Sequence, residues 1–255
     1  MSYDDNFVAA LEWMWGEGFL SPGGPEEVRE ILKGVKLTGK KVLDIGCGIG
    51  GIDLLLVNKF GASHVVGIDI EPDLVDKAQQ RVDNARLSDR IELRCVTPGA
   101  LEFPNDTFDI VFTKDSLIHI ENKQVMFNEI HRVLRSGGIF AASDWLGFDT
   151  PHTPEMVRWL ELVGLEFNLC TASDMKHFLS NAGFEQISLR DRNEWYAEIV
   201  RDEIASVSGT KQAELAKRLG EESARHRLES STAKLKVVEQ GELRPTHLLG
   251  RKPQS

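Results

Sequence analysis

The sequence predicts an α/β fold built on a parallel, doubly wound sheet, and three observations predict it. Five short apolar runs alternate with helix-compatible segments between Lys41 and Asp144. The first run, Val42-Leu43-Asp44-Ile45, leads directly into Gly46-Cys47-Gly48-Ile49-Gly50-Gly51, a turn with alternate glycines. The second, Val65-Val66-Gly67-Ile68, ends on Asp69. An apolar strand, a glycine turn, a helix and a second strand closed by an acid make one βαβ unit with a nucleoside site at its carboxyl edge.

Taken in order, Phe7 to Trp15 has helical spacing, with Phe7, Leu11 and Met14 on one side, and Gly16-Glu17-Gly18 ends it. Pro25 after Gly23-Gly24 starts a second helix through Val35, because proline suits the first helical turn. Strands are expected at 41–46, 64–69, 91–95, 108–113 and 138–144, alternating with helices at about 51–60, 72–85 and 122–134. Pro151 and Pro154 break this rhythm, and helices near 154–163 and 172–182 follow. Glu185 to Arg190 alternates Ile187 and Leu189 with polar neighbours, a strand signal, and Thr246 to Arg251 reads as another. Between them, Asn193 to about Lys236 is a long, highly charged helical region, read as a solvated cover over the edge of the active site. The chain divides into N-terminal helices over 1–36, a core over 37–145, and lid helices with the final strands over 146–255, all within one structural domain.

A chain of 255 residues with 41% hydrophobic content is ample for a buried core. Its formal net charge of -10 argues against nucleic acid as a partner, because backbone phosphates need a positive surface. Cys47, Cys95 and Cys170 are odd in number and far apart, with no spacing for zinc or redox work. Free thiols in a reducing cytoplasm, and no metal site, are the expectation. The first five residues are acidic rather than basic, unlike a signal peptide, and no apolar run approaches the roughly 20 residues of a membrane span.

The glycines of the turn matter because a strand must reverse into a helix within a few residues, at positions needing positive φ or a side-chain-free approach to a ligand. Asp69 then presents a carboxylate able to accept two hydrogen bonds from ribose hydroxyls. Gly46-x-Gly48-x-x-Gly51 by itself also satisfies the dinucleotide fingerprint. Asp44 tips the choice, since Asp-x-Gly-x-Gly-x-Gly resembles motif I of class I S-adenosylmethionine (SAM) methyltransferases. SAM carries a cationic sulfonium and no pyrophosphate, so an acid is tolerable there and would repel a dinucleotide. Phe103-Pro104-Asn105-Asp106-Thr107-Phe108-Asp109-Ile110-Val111-Phe112 and Val133-Leu134-Arg135-Ser136-Gly137-Gly138-Ile139-Phe140 resemble the strand 4 and strand 5 borders of the same enzymes. The implied architecture is a Rossmann-like class I methyltransferase sheet with N-terminal helices and a C-terminal lid.

A narrower resemblance begins at Tyr3 and runs through Leu11-Glu12-Trp13-Met14-Trp15-Gly16-Glu17-Gly18-Phe19-Leu20-Ser21-Pro22-Gly23-Gly24. This stretch is similar to the helix and loop before the SAM fold in the phosphoethanolamine N-methyltransferases of protozoa, worms and plants. Lys114-Asp115-Ser116-Leu117-Ile118-His119 and the segment from Leu169 to Trp195 extend the resemblance over most of the chain. It implies that Tyr3 and His119 form a dyad that latches over the ligands and supports methyl transfer. It further implies that Ser21 and Gly46 touch the methionine part of SAM, with Asp44, Gly48 and Gly50 around them. Asp69, with Ile70 beside it, takes the ribose. Lys114 and Asp115 form the floor where cofactor and substrate meet, and Asp115 holds either the SAM amino group or a substrate amine. Thr97, followed by Pro98, stands where the family has an acid, and its hydroxyl or the backbone is left to meet the adenine amine.

The substrate side departs from the family. Leu165, Phe167 and Trp145 stand where a phosphate-gripping arginine and two tyrosines are expected, and Lys234 alone is retained. Arg158 or His152 is positioned in sequence to compensate from a neighbouring turn. Losing a charged fork and two hydroxyls removes the contacts a phosphate most needs, so the expected acceptor is less anionic than phosphoethanolamine, more aromatic, or both. The expected function is SAM-dependent methylation of the nitrogen of a small soluble amine, whether phosphobase-like, amino-acid-like or imidazole-bearing. Methylation of oxygen, carbon or sulfur of a secondary metabolite, and SAM binding without catalysis, stand as the alternatives.

Overall fold

Val42, Leu43, Asp44 and Ile45 of β1 (Lys41–Ile45) are all buried, the pattern of a strand covered on both faces. The computed structural model describes residues 5–148, 152–164, 166–209 and 211–254. Around β1 stand β2 (His64–Asp69), β3 (Ile91–Cys95), β4 (Phe108–Lys114), β5 (Leu134–Gly147), β6 (Glu185–Asp191) and β7 (Leu243–Arg251), in the order β3-β2-β1-β4-β5-β7-β6. β1 to β5 pair in parallel, as the sequence predicts. β7 inserts antiparallel between β5 and β6, so the complete sheet is mixed.

Alternation along the strands sorts the helices into two layers. Leu43, Ile45, Val66, Ile68 and Val111 pack with Phe127 and Ile130 of α5 (Lys123–Val133) and with Met175 and Leu179 of α7 (Ala172–Asn181). Their neighbours Val42, Val65, Ile110 and Phe112 face the opposite way. They meet α2 (Gly24–Ile31), α3 (Gly51–Asn58) and α4 (Pro72–Asn84) through Val28, Leu56 and Val82. The order of strands reverses between β1 and β4, which opens a crevice at their carboxyl ends, where ligands bind in such sheets.

Several boundaries differ from expectation. α2 stops at Ile31 rather than Val35, because Leu32 to Gly34 turn back and Gly34 takes a φ of 84°. β5 is longer than 138–144 and β7 longer than 246–251, since each extends along the other from Ile139↔Arg251 to Gly147↔Leu243. The charged region from Asn193 is three helices, α8 (Asn193–Ser208), α9 (Gln212–Leu219) and α10 (Glu221–Glu239), broken near Gly209 and Gly220. Nor is it only a solvated cover. Tyr196, Val200, Val237 and Val238 join Met156 and Trp159 of α6 (Pro154–Val163) in a separate apolar core above the sheet edge. α1 (Asp5–Trp15) completes the cover from the N-terminal side, with Val8 packed on Ile49 and Leu74. Among the described residues no helix is long and apolar enough to cross a membrane.

A buried polar network welds α2 to the antiparallel edge. Glu27 is 3% exposed and receives Arg192 Nη2 at 2.8 Å and His247 Nε2 at 2.5 Å. Arg190 Nη2 donates to His247 Nδ1 at 2.8 Å, so the imidazole gives its Nε2 proton to the carboxylate. Burial pushes the Glu27 carboxyl up, but His247 and Arg192 together hold it below the ordinary value of 4.5. A carboxylate lowered in the folded state contributes stability above its unfolded value and loses it as pH falls. Glu27→Ala strands two buried partners and should destabilise the protein by about 3–5 kcal/mol near neutral pH. In denaturant titrations the gap between variant and native protein should narrow below about pH 4.5, the ordinary glutamate value; a pH-independent gap would show that Glu27 acts through packing alone.

Candidate active site

The glycine turn is docked on the end of β2 by two backbone bonds, from Gly46 N and Cys47 N to Ile68 O at 2.8 and 3.0 Å. Gly46 has a φ of 78°, and a Cβ there would lie 2.1 Å from Ser116 Oγ. A side chain is therefore excluded both by backbone conformation and by the segment that follows β4. Gly51 makes the second tight approach, with a Cβ position 2.1 Å from Gly18 O. The N-terminal segment thus lies directly on the start of α3.

Asp69 ends β2 half-buried, its Oδ2 accepting from Gly48 N at 2.8 Å and its Oδ1 from Glu71 N at 3.1 Å. The carboxylate that a ribose would meet also holds the turn in shape. Below it lie two more acids. Asp44 and Asp53 are buried, and Asp44 Oδ2 and both Asp53 oxygens have no hydrogen-bond partner. Burial pushes the Asp44 carboxyl well up, with Asp53 and then Asp69 adding repulsion. Burial likewise raises Asp53, to about 7, with its own backbone amide opposing and Asp69 adding. Asp53 was not singled out in the sequence; its signal is an acid two residues into α3, where the helix faces β2. Ile70, Thr97 and Pro98 are exposed on the same edge, which Val96 N joins to Asp69 O at 2.9 Å.

Beside the turn opens a cavity of about 880 Å³. Ser21, Asp115, His119, Trp145, Phe167 and Lys234 all line it, so the structure gathers these sequence-singled residues in one place. Tyr3 and Leu165 lie outside the described residues. Arg158 does not line the cavity; it pairs with Glu229 and Glu161. Trp159, Tyr196, Glu203 and Arg227 line it without having been singled out. The legible signal was the spacing of Arg227, Ser231 and Lys234, which puts all three on one helix face.

One ammonium organises the floor. Lys114 Nζ donates to Ser21 Oγ at 2.6 Å and to Asp115 Oδ2 at 2.5 Å, with side-chain exposures of 2% for Lys114 and 11% for Asp115. Asp115 adopts a φ of 57°, unusual for a residue with a side chain, and its N–H donates to Ser143 O at 2.8 Å.

His119 sits on a single 3-10 turn over 117–119. Asp144 Oδ1 accepts from Ile118 N at 3.2 Å, and Lys123 Nζ donates to Leu117 O at 2.7 Å and Ile120 O at 3.0 Å. From the lid side, Asn168 N donates to Ile118 O at 2.7 Å. His119 Nδ1 lies 3.4 Å from Glu166 O. Because a carbonyl can only accept, the neutral ring carries its proton on Nδ1 and keeps a lone pair on Nε2. Burial lowers the pKa of this imidazole, the Glu166 bond opposing and Lys123 adding to the shift. Asp144 moves the other way, to about 8, through burial and then the charge of Asp115. In an NMR pH titration His119 should therefore have its midpoint below the ordinary 6.5 and be neutral at pH 7; a midpoint at or above 6.5 would contradict its placement.

Comparison with known proteins agrees with this geometry. A family model described as a methyltransferase domain matches residues 42–138. Phosphoethanolamine N-methyltransferase 3 of Arabidopsis thaliana is 29% identical over 213 residues, 83% of this chain and 42% of that protein. The phosphoethanolamine N-methyltransferase of Plasmodium falciparum is 28% identical over 205 residues, 79% of this chain and 75% of its own length. The solved structure of Haemonchus contortus phosphoethanolamine N-methyltransferase 2 with phosphomonomethylethanolamine and S-adenosylhomocysteine superposes with a TM-score of 0.90 at 26% identity. It covers 99% of this chain and 59% of that one. Among the plant relatives, this chain spans between 40% and 49% of their length. By sequence and fold the chain resembles class I SAM-dependent methyltransferases and, among them, the phosphoethanolamine N-methyltransferases.

Proposed function

We propose that this chain transfers a methyl group from SAM to the nitrogen of a small soluble amine. The observation that carries the proposal is the approach of Gly46 to Ser116, which sets the glycine turn against the segment bearing Asp115 and His119. Nucleoside site and cavity therefore meet at one strip of backbone. The residues fit a cationic cofactor: three acids surround the turn, two of them, Asp44 and Asp53, with unpartnered buried oxygens, and the turn leaves no room for a Cβ at Gly46. Asp69 would hold the ribose with Ile70 beside it, Thr97 and Pro98 the adenine edge, and Ser21, Asp44, Gly46, Gly48, Gly50 and Lys114 the remainder. When bound, SAM supplies an electrophilic methyl carbon on a sulfonium.

The protein's own residues prepare the nitrogen. Asp115, fixed by Lys114, accepts a hydrogen bond from the amine and orients it. His119, neutral at physiological pH, takes the proton that the nitrogen must lose, so that a lone pair faces the methyl carbon. The bound cofactor would give up its methyl group and be left as a neutral thioether, and His119 passes the nitrogen's proton through its imidazole to solvent. By the family resemblance Tyr3 would act with His119 as a latch, and Trp145 and Phe167 flank the acceptor, the Phe167 ring standing 5.5 Å from that of His119. The three segments 1–36, 37–145 and 146–255 then act as latch, cofactor core and lid. The acidic charge and three unpaired cysteines fit a cytoplasmic enzyme of small molecules rather than one of nucleic acid.

Release of S-adenosylhomocysteine in the presence of a panel of amines tests the reaction, and its absence with every amine would overturn it. Asp69→Ala should weaken SAM binding by about 1.5–3 kcal/mol in calorimetry, through lost charge-assisted bonds and a loosened Gly48 turn; unchanged affinity would remove Asp69 from the cofactor site. His119→Ala should lower turnover roughly 100- to 10,000-fold while SAM affinity stays near native. Near-native turnover would return His119 to a structural role.

A further inference from the structure

One cluster on the cavity wall sets two cations against a single carboxylate. Glu203 of α8 meets Arg227, Ser231 and Lys234 of α10, which share one face of that helix. The carboxylate is satisfied: Ser231 Oγ donates to Oε1 at 2.8 Å and Lys234 Nζ to Oε2 at 2.9 Å. Arg227 is left over. Its Nε stands 3.7 Å from Glu203 Oε1, is buried, and has no hydrogen-bond partner. Its guanidinium lies 5.3 Å from the centre of the Trp15 ring. Burial lowers Arg227 and Lys234 from their ordinary values. It pushes Glu203 up, but the two cations hold that carboxyl below 4.5. Two cations thus share one carboxylate, and this cluster of three side chains keeps one net positive charge.

We propose that Arg227, with Lys234 behind it, binds a carboxylate on the methyl acceptor, so that the acceptor is a small amino carboxylate. The proposal rests on the N-methyltransferase reading above. A single uncompensated positive charge matches a monoanion. A phosphate dianion would leave a negative charge unmatched beside Glu203 in a poorly solvated place. Trp159 Nε1, also buried and unpartnered, lines the same cavity and supplies a second donor for a carboxylate oxygen. Tyr196 lines the same cavity as Glu203 and Asp115. Asp115 and His119 receive the nitrogen and Arg227 the carboxylate within this one cavity. Trp15, Trp145, Trp159 and Phe167 between them suit an apolar or ring-bearing body.

The test compares L-histidine and 4-aminobutyrate with their decarboxylated counterparts, histamine and propylamine, and with phosphoethanolamine. Initial rates of S-adenosylhomocysteine release are measured, and binding is measured by calorimetry with S-adenosylhomocysteine present. Native protein should favour at least one amino carboxylate over its decarboxylated counterpart and over phosphoethanolamine by about tenfold or more. Arg227→Gln should raise KM for that carboxylate roughly 10- to 100-fold, a loss at least tenfold larger than for the counterpart, with kcat little changed. Arg227→Lys, which keeps the charge, should restore part of the preference. Equal use of histidine and histamine and of 4-aminobutyrate and propylamine, preference for phosphoethanolamine, or equal losses in Arg227→Gln would overturn the proposal, as would failure of both carboxylates to bind. Carboxylate binding that Arg227→Gln abolishes, without turnover of any amine, would uphold the anion site and sink the methyl-transfer reading.

Discussion

Lys114 is nearly inaccessible at the carboxyl end of β4, and its ammonium holds Ser21 and Asp115 together. A buried cation is stable only when paired and hydrogen-bonded, so this bridge dictates where its partners stand. Ser21 belongs to the segment between α1 and α2, and Gly18 of that segment rests on the first residue of α3. Asp115 is forced into a left-handed backbone conformation, which turns the chain toward Ser116 and the 3-10 turn carrying His119. The N-terminal cover, the glycine turn and the acceptor side of the cavity are thus joined through one charged contact. Glu27, three residues into α2, anchors the same segment to β7 from below.

Charge is distributed differently on the two sides of this bridge. On the cofactor side Asp44, Asp53 and Asp69 crowd around a turn with no cation hydrogen-bonded to them, and burial with mutual repulsion raises the first two. Such a site is uncomfortable when empty and gains from a positively charged ligand, which is the electrostatic complement of a sulfonium. In the cavity the Glu203 cluster has an imbalance of the opposite sign, with Arg227 and Lys234 sharing one carboxylate. An acceptor that is positive at its nitrogen and negative at its far end would lie along this field rather than across it. Orientation would then follow from charge before any shape-specific contact is made.

How far these features are legible depends on whether local chemistry or distant packing decides them. The unit from Lys41 to Asp69 is legible because buried parallel strands demand continuous apolar runs, and because a strand reversing into a helix demands glycine. The pairing of β7 between β5 and β6 is not. Its register depends on partners from 55 positions away (Asp191↔Thr246) to 112 away (Ile139↔Arg251), and only the strand character of 246–251 is visible locally. Asp53 and Asp144 look like ordinary surface acids until the sheet buries them. The stretch from Asn193 to Lys236 reads as solvated because its charges outnumber its large apolar residues. Once Trp159, Tyr196, Val200 and Val237 close around one another, several of those charges are enclosed with them. Lys234, singled out by resemblance, lines the cavity, whereas its Glu203 partner, 31 positions away on another helix, was not readable.

The same lid explains how an anion site arises on a different element from the one expected. With no arginine or tyrosine at positions 145, 165 and 167, the wall beneath α6 is hydrophobic, and Trp159 stacks on Phe167 at 5.6 Å. A guanidinium is retained in such surroundings only where something offsets its desolvation. Three elements supply that around α10: Glu203 of α8 stands opposite, Trp15 of α1 offers a ring face, and Ser231 and Lys234 of α10 itself take up the carboxylate oxygens. Because Glu203 is already hydrogen-bonded to those two, it attracts Arg227 without binding its fork. The guanidinium is therefore held in place with its hydrogen-bonding capacity unused. A carboxylate is the smallest group whose geometry and single charge match that unused fork.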